Sequence, residues 1–437
     1  MAQYLLAASP LAGHVMPMLA IAAGLQRRGN QVRLITGSQY HDAIRRSGVT
    51  PVDLPPEAQP HPAPASPARL GPLALIDLWR SGRADMRSAF IDPLDAQYRV
   101  LRDELARHQT DAVLVDVAFT GALALMLSEG ARPPVVVCGV GPLMLSSADV
   151  PPFGVGWQPE PGLDYRRMNW VVHRVLFADI QARLNSALRK VGARSSPVFL
   201  TDWPALADRV VQLSVAATEY PRSDLSSSVV FTGPVITNPT VAEADLPAWW
   251  PELQRTSRTV VHVTQGTWDN RDDRQLIRPA LEALADRDDV LVIATTGLTD
   301  QSEYSGVVPD NAYVTNYVPY TALLPHVDVM ITNGGFGGVQ QALLHAIPLI
   351  VAGRSADKPE TAARIDFAGA GIDLKTARPS AAAIAGALSR ILDSDRYFSA
   401  AQRISREMAA ATPLDTIADV LAGLKSPDLE RPLATGR

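Results

Sequence analysis

The hexapeptide Asn333-Gly334-Gly335-Phe336-Gly337-Gly338 lies between an apolar run, Val327-Asp328-Val329-Met330-Ile331-Thr332, and a helical segment, Val339-Gln340-Gln341-Ala342-Leu343-Leu344-His345, which runs on toward Pro348. A strand, a glycine-rich turn and a helix N-terminus together present unpaired backbone N–H groups and the positive end of a helix dipole, which is a cradle for phosphate. A plain strand-to-helix turn is the structural alternative, but four glycines among residues 334–338 exceed what a turn needs. No Gly-Lys-Ser/Thr follows, so the cluster is not a P-loop. Counting Gly-x-Gly-x-x-Gly from Gly335 puts Gln340 where the third glycine belongs, so it is not a dinucleotide fingerprint either, although Asp357 imitates that motif's ribose-binding acid.

A second candidate is His14, which follows Gly13 where a strand gives way to a helix. Helix capping or core packing explains a histidine there; so does general-base chemistry, because imidazole titrates near operating pH. A base needs a carboxylate on its other ring nitrogen to fix the tautomer. Asp116, at the C-terminal end of the run 112–115, is in the right place for that within a parallel sheet; Asp111 is nearby, and strand-end aspartates also cap helices. Gly266 and Thr267 end another strand: the glycine allows close backbone approach, and the threonine hydroxyl can reach a phosphate oxygen. His262, His326 and His345 lie in or beside apolar segments and read as structural. No His, Asp or Glu grouping has metal-ligand spacing, so no metal is expected.

These residues must be held by an alternating α/β chain. Runs 3–8, 31–36, 112–115 and 134–138 read as strands and 15–28 as an amphipathic helix stopped by Gly29. A second series follows, with strands over 259–264, 290–295, 312–315 and 327–332 and a helix over 273–285. Alternation of this kind implies parallel sheets covered on both faces, with ligands at the C-terminal strand ends and in the cleft between the halves. The chain of 437 residues exceeds one core. The expected division is a first Rossmann-like domain over 1–232, a proline-rich linker over 233–255, a second such domain over 256–412, and a helix over 413–425 packing back toward the first. Residues 55–72 read as a mobile loop, and the last dozen as disordered.

Composition narrows the partners. A net charge of −5 without a basic run argues against nucleic acid. No window supplies the roughly 20 apolar residues of a membrane span, and the apolar N-terminus lacks a basic leader region, so a cytoplasmic protein is expected. The single cysteine, Cys138, reads as a small buried hydrophobe.

The blocks Thr332 to Leu343, Ala346-Ile347-Pro348 and Asp357-Lys358 resemble the donor-binding signature of the UDP-glycosyltransferase-like family 1 glycosyltransferases. Gly13-His14-Val15-Met16-Pro17, Val263-Thr264-Gln265-Gly266-Thr267 and Tyr317-Val318-Pro319 are similar to further blocks, so the resemblance spans nearly the whole chain. It implies the GT-B fold, two facing Rossmann-like domains, and inverting transfer of a sugar from a nucleotide diphosphate. It implies His14 as base and Asp116 as its partner. It implies a donor site of Gly266, Thr267, Val318, Asn333, Gly335, Gly337, Gly338, Val339, Gln341, Asp357 and Lys358, and no metal or other cofactor, the nucleotide sugar being a co-substrate. Three positions depart from the family pattern: Asn333 stands for a histidine, Gln341 for a ribose-binding glutamate, and Lys358 for the glutamine of an Asp-Gln pair. An amide can donate a hydrogen bond but carries no positive charge, and Lys358 could restore the charge lost at Asn333.

The expectation is therefore an inverting glycosyltransferase moving a hexose or deoxyhexose from a UDP- or dTDP-sugar to a hydroxyl of a small lipophilic acceptor, such as a natural product, lipid or phenolic. Loops 55–78 and 150–170, with Trp79, Phe90, Phe153 and Trp157, are candidates for the acceptor pocket, although core packing explains each aromatic equally well. The alternatives are a non-catalytic nucleotide-sugar-binding partner and a sugar-nucleotide epimerase.

Overall fold

The computed structural model describes residues 1–59, 82–236, 246–266, 270, 272–297, 304 and 306–424. Seven strands form the first sheet: β1 (Gln3–Ala7), β2 (Gln31–Thr36), β3 (Thr50–Asp53), β4 (Ala112–Asp116), β5 (Val135–Gly139), β6 (Arg209–Gln212) and β7 (Val229–Phe231). Six form the second: β8 (Thr259–Thr264), β9 (Val290–Thr295), β10 (Ala312–Thr315), β11 (Val329–Thr332), β12 (Leu349–Val351) and β13 (Gly371–Asp373). Their orders are β3-β2-β1-β4-β5-β6-β7 and β10-β9-β8-β11-β12-β13. Every strand pairing is parallel.

The central strands are unbroken apolar runs because helices cover both their faces. All residues of Ala-Val-Leu-Val-Asp in β4 and Val-Leu-Val-Ile-Ala-Thr in β9 are buried. Each sheet therefore separates two cores. Phe119, Leu101 and Trp203 lie on one side of the first sheet, with Met18, Ile21 and Leu34 on the other. Met330 and Leu343 lie on one side of the second, with Leu281 and Ile384 on the other. Cys138, in β5, is wholly buried, and burial pushes its thiol well up.

Some boundaries shift. The first helix spans Ala12–Arg27, beginning before Val15, so His14 sits inside its first turn and Pro17 within the helix. The helix expected over 273–285 is confined to Ile277–Leu284. Of the stretch 55–72, Pro56–Ala58 forms a 3-10 turn, and residues from 60 on lie outside the described part, as do those after 424. Among the described residues no helix is long and apolar enough to cross a membrane.

The last described helix returns to the first sheet. Helix Asp395–Ala410 packs into a core of the second domain through Ala401, Ile404 and Met408. The next helix, Pro413–Gly423, sends Ile417 and Leu421 into a core of the first. There Asp415 Oδ1 accepts from Arg28 Nη2 at 2.5 Å, and Leu414 fits against Gly24, where a Cβ would stand 2.8 Å from its Cδ1. Ile417 is fully buried, so Ile417→Ala should cost about 2–5 kcal/mol. Denaturant titration should show the loss, and hydrogen exchange should speed up over residues 12–27. Loosening confined to the second domain would overturn this placement.

Candidate active site

Each sheet reverses its strand order at its first strand, between β1 and β4 and between β8 and β11. Connections there leave in opposite directions and open a crevice beyond the C-terminal strand ends. His14 follows β1 and Asp116 ends β4. These strands are paired in register, Ala7 against Val115, which brings together residues about a hundred positions apart. His14 Nδ1 lies 2.7 Å from Asp116 Oδ1. Asp116 is fully buried and held by two backbone donors, Ser9 N at 2.6 Å to Oδ2 and Ala118 N at 2.7 Å to Oδ1. Asp111 accepts from the backbone of Gln3 at the far end of β1, so it has no part in this pairing.

The carboxylate fixes the imidazole tautomer. With Nδ1 donating to Asp116, Nε2 is left as the basic nitrogen, on a side chain that is 24% exposed. Burial alone would lower the His14 pKa. The charge of Asp116, its hydrogen bond, and the charge of Asp357 from the second domain outweigh burial and raise it above the ordinary 6.5. Asp357 itself is pushed up, by burial first, against the opposing pull of Lys358. It reaches the first domain: a Cβ on Gly141 would stand 3.5 Å from its Oδ2. His262 is of the other kind: buried, bonded through Nδ1 to Ile293 O at 2.9 Å, and driven by burial to about 4, it is structural.

In the second sheet Thr332 pairs with Thr264, so the glycine-rich turn and Gly266 lie side by side at the crevice. Helix Phe336–Leu344 begins at Gly335 without a side-chain cap, leaving its first amides to whatever occupies the turn. The glycines divide by cause. Gly334 is required by the fold, with φ +86° and a Cβ position 2.7 Å from Val351 Cγ1. A Cβ on Gly337 would meet nothing within 4 Å, and one on Gly335 only Asn333 Oδ1 at 3.9 Å. Internal packing does not require glycine at those two positions, whereas close approach of a ligand would.

Asn333 is oriented by the neighbouring strand. Its Nδ2 donates to the backbone oxygen of Gln265, which leaves Oδ1 as the atom nearer the Cβ positions of Gly266 and Gly335. Lys358, 6% exposed, runs its stem past Gly353 and Gly334, and its Nζ donates to Ser355 Oγ at 2.7 Å. Asp85 of the first domain is within electrostatic reach of Lys358. The loop before Asp357 holds Ala356 at φ +51°, a left-handed conformation that costs about 1 kcal/mol or more in a non-glycine residue.

The remaining candidates fall unevenly. Val339 and Val318 are buried in the core on the glycine-turn side, so of Val318 only the main chain is placed to meet a ligand. Gln341 is partly exposed, with Nε2 3.4 Å from Gly337 O. Thr267 lies outside the described residues, as does Trp79. Phe90 packs against the first core, and Trp157 is 57% exposed. Among the described residues no group of three or more His, Cys, Asp or Glu could hold a metal ion.

Sequence reasoning missed the seam between the domains, where Glu219, Glu360 and Arg364 are buried together. The i, i+4 spacing of Glu360 and Arg364 on one helix was a legible signal; the approach of Glu219 had none. It also missed Gln340, whose buried amide has no hydrogen-bond partner among the described residues and lines a small cavity with Pro142, Thr218, Thr361 and Arg364.

Comparison with known proteins agrees with this geometry. The N-terminal domain model of glycosyltransferase family 28 matches residues 5–92, and that of the erythromycin biosynthesis protein CIII-like C-terminal domain matches residues 278–424. The chain is 35% identical over 431 residues to 4'-demethylrebeccamycin synthase of Lentzea aerocolonigenes, covering 97% of this chain and 99% of that protein. It is 30% identical over 441 residues to UDP-glycosyltransferase 2 of Phaeomoniella chlamydospora, covering 95% and 94%. The solved structure of the glycotransferase of kitacinnamycin matches with a TM-score of 0.71 at 21% identity, over 97% of this chain and 98% of that one. With two parallel-sheet domains whose crevices face each other, the chain belongs to the UDP-glycosyltransferase-like family 1 glycosyltransferases and is a glycosyltransferase of the GT-B fold.

Proposed function

We propose that this glycosyltransferase moves a hexose or deoxyhexose, with inversion, from a UDP- or dTDP-sugar held by the second domain to a hydroxyl of a small lipophilic acceptor held by the first. The observation that carries this reading is the His14–Asp116 pair, which leaves a basic nitrogen in the cleft opposite the uncapped helix start at Gly335. An alcohol is a poor nucleophile until its proton is drawn away. His14 Nε2 takes that proton as the oxygen attacks the anomeric carbon, the bond to the diphosphate breaks, and Asp116 stabilises the imidazolium that forms. The electron pair of the broken bond stays on the diphosphate oxygen, which gains one negative charge and with it a demand for donors. The amides of Gly337 and Gly338 at the helix start meet it, with Gly266 approaching closely from the next strand and the Lys358 ammonium adding charge.

Asn333 offers no full charge, and one of its amide hydrogens is engaged by Gln265, which puts more weight on Lys358. Asp357 reads sugar hydroxyls, Gln341 the ribose, and the main chain at Val318 the base, with Val339 packing beneath the turn. The donor is a co-substrate, and the mechanism needs neither metal nor other cofactor. The intact His14–Asp116 pair favours catalysis over a silent nucleotide-binding partner, and among the described residues no carboxylate cluster beside it supports epimerisation.

Three outcomes test this. His14→Ala should cut transfer about 10²–10⁴-fold while leaving UDP or dTDP affinity by calorimetry nearly unchanged; normal turnover would remove the base assignment. Because the His14 pKa is raised, the inactive imidazolium persists to higher pH. The rate should therefore climb with pH through a value above 6.5, and Asp116→Asn should both slow the reaction and move that limb downward. Gly337→Ala adds a methyl where the protein leaves open space, and it replaces a poor helix former with the best one. Thermal stability should hold or rise while nucleotide affinity falls about tenfold or more, about 1.4 kcal/mol; unchanged affinity would make the glycine a turn residue and nothing else.

A further inference from the structure

The two domains meet through a cluster of buried charges on the helix Lys358–Phe367, whose N-terminus carries Asp357. Arg364 donates from Nε to Glu219 Oε2 at 2.6 Å, from Nη1 to Glu360 Oε2 at 2.6 Å, and from Nη2 to Leu143 O at 3.1 Å. The guanidinium also stacks 4.5 Å from the Tyr220 ring centroid. The side chains of Arg364, Glu219 and Glu360 are 4%, 2% and 4% exposed. Arg222, half-buried and donating from Nη2 to Leu143 O at 3.1 Å, adds a second cation at the edge of the cluster, with Asp224 also in electrostatic reach of it.

Glu360 faces two ways. While Oε2 holds Arg364, Oε1 accepts from the backbone amides of Gly154 and Gly156, both at 2.8 Å. Those glycines belong to the first-domain stretch 150–170, the candidate acceptor side. Gly156 has φ +63°, and a Cβ there would stand 2.9 Å from both Cβ and O of Pro359, so only glycine lets this loop meet the second domain. Gln158 closes the contact further along the same helix, donating from Nε2 to Asp366 Oδ2 at 2.6 Å.

We propose that Glu360 and Arg364 are positioning residues: a clasp that ties the 154–158 loop of the first domain to the helix presenting Asp357 and Lys358, so that occupation of the donor site is transmitted to the acceptor-side loop. The proposal rests on the donor reading above. Both carboxylate oxygens of Glu360 are engaged and all three nitrogens of the Arg364 guanidinium donate, so the arrangement has one geometry rather than many. A displacement of the helix start by the donor therefore moves the two loop amides with it. Neither residue needs to touch substrate.

Hydrogen exchange of the full chain, with and without saturating UDP or dTDP, tests this. In the wild-type protein the Gly154 and Gly156 amides should exchange slowly, and nucleotide should slow them further. In Glu360→Ala their exchange should rise at least tenfold and lose its response to nucleotide, while residues 335–339 still respond and strands β1 and β8 exchange as before. Glu360→Gln, which keeps an oxygen for the two amides, should restore most of the protection. Gly156→Ala should open the same loop with the charges intact. Exchange at 154–158 unchanged in Glu360→Ala and in Gly156→Ala would overturn the clasp. Faster exchange that still responds fully to nucleotide would overturn the transmission. A wild-type chain that binds neither UDP nor dTDP by calorimetry would instead remove the donor reading, and the transmission with it, while the apo exchange rates still decide whether the clasp exists.

Discussion

A parallel strand cannot turn straight back into its neighbour; the chain must cross a face of the sheet, through a helix, before it pairs again. When successive crossovers change direction, the connections at that point diverge and leave an open crevice above the strand ends. Both sheets of this protein do this at their first strand, and almost every residue with a chemical part to play lies where they do. His14 and Asp116 occupy the crevice of the first sheet; Gly266, Asn333 and the glycine-rich turn occupy that of the second. Facing the two crevices toward each other sets the His14–Asp116 pair opposite the glycine-rich turn. These residues could not have been brought together on either sheet alone.

The seam that holds the crevices in register is ionic, which is unusual for so deeply buried a contact. Removing two carboxylates and a guanidinium group from water is expensive, and an apolar seam of the same shape is often no less stable. Direction is what charge adds. Apolar surfaces slide over one another at little cost, whereas Arg364 accepts a change of partner only by leaving a buried charge unpaired. Glycine at position 156 shows the same demand from the side of sterics, since the loop backbone approaches Pro359 too closely for any Cβ. A cleft enclosed in this way strengthens the interactions within it, because water no longer screens them. The opposing influences on His14 come from that enclosure, with burial pulling its pKa down and two aspartates pushing it up.

Much of this was legible beforehand because it depends on local pattern. Unbroken apolar runs marked the buried strands, and the glycine-rich turn and helix start after β11 were visible from their residue types. The pairing of His14 with Asp116 followed from a rule of topology, since strand ends at a switch point converge. Asn333 was legible as a departure in residue type but not in orientation. Which way an amide turns depends on the nearest carbonyl, and that carbonyl belongs to Gln265, on another strand. The first helix began earlier than its apolar period suggested, because the turn carrying Gly13 and His14 faces the cleft and has no apolar stripe to announce it.

The sequence by itself determined the fold class and the two-sheet plan, and it singled out the glycine-rich turn, His14 and Asp116. Those properties reside in short runs whose periodicity and glycine content constrain the backbone directly. The tertiary structure alone decided which atoms of those residues are free to act: that His14 keeps Nε2, that the Asn333 amide is engaged, and that Gly334 serves packing while Gly337 leaves room. It alone revealed Glu219 beside Arg364, 145 positions apart. Side-chain charge and hydrogen-bond direction are settled by neighbours in space, and a chain folded from two domains draws those neighbours from segments that share no local pattern.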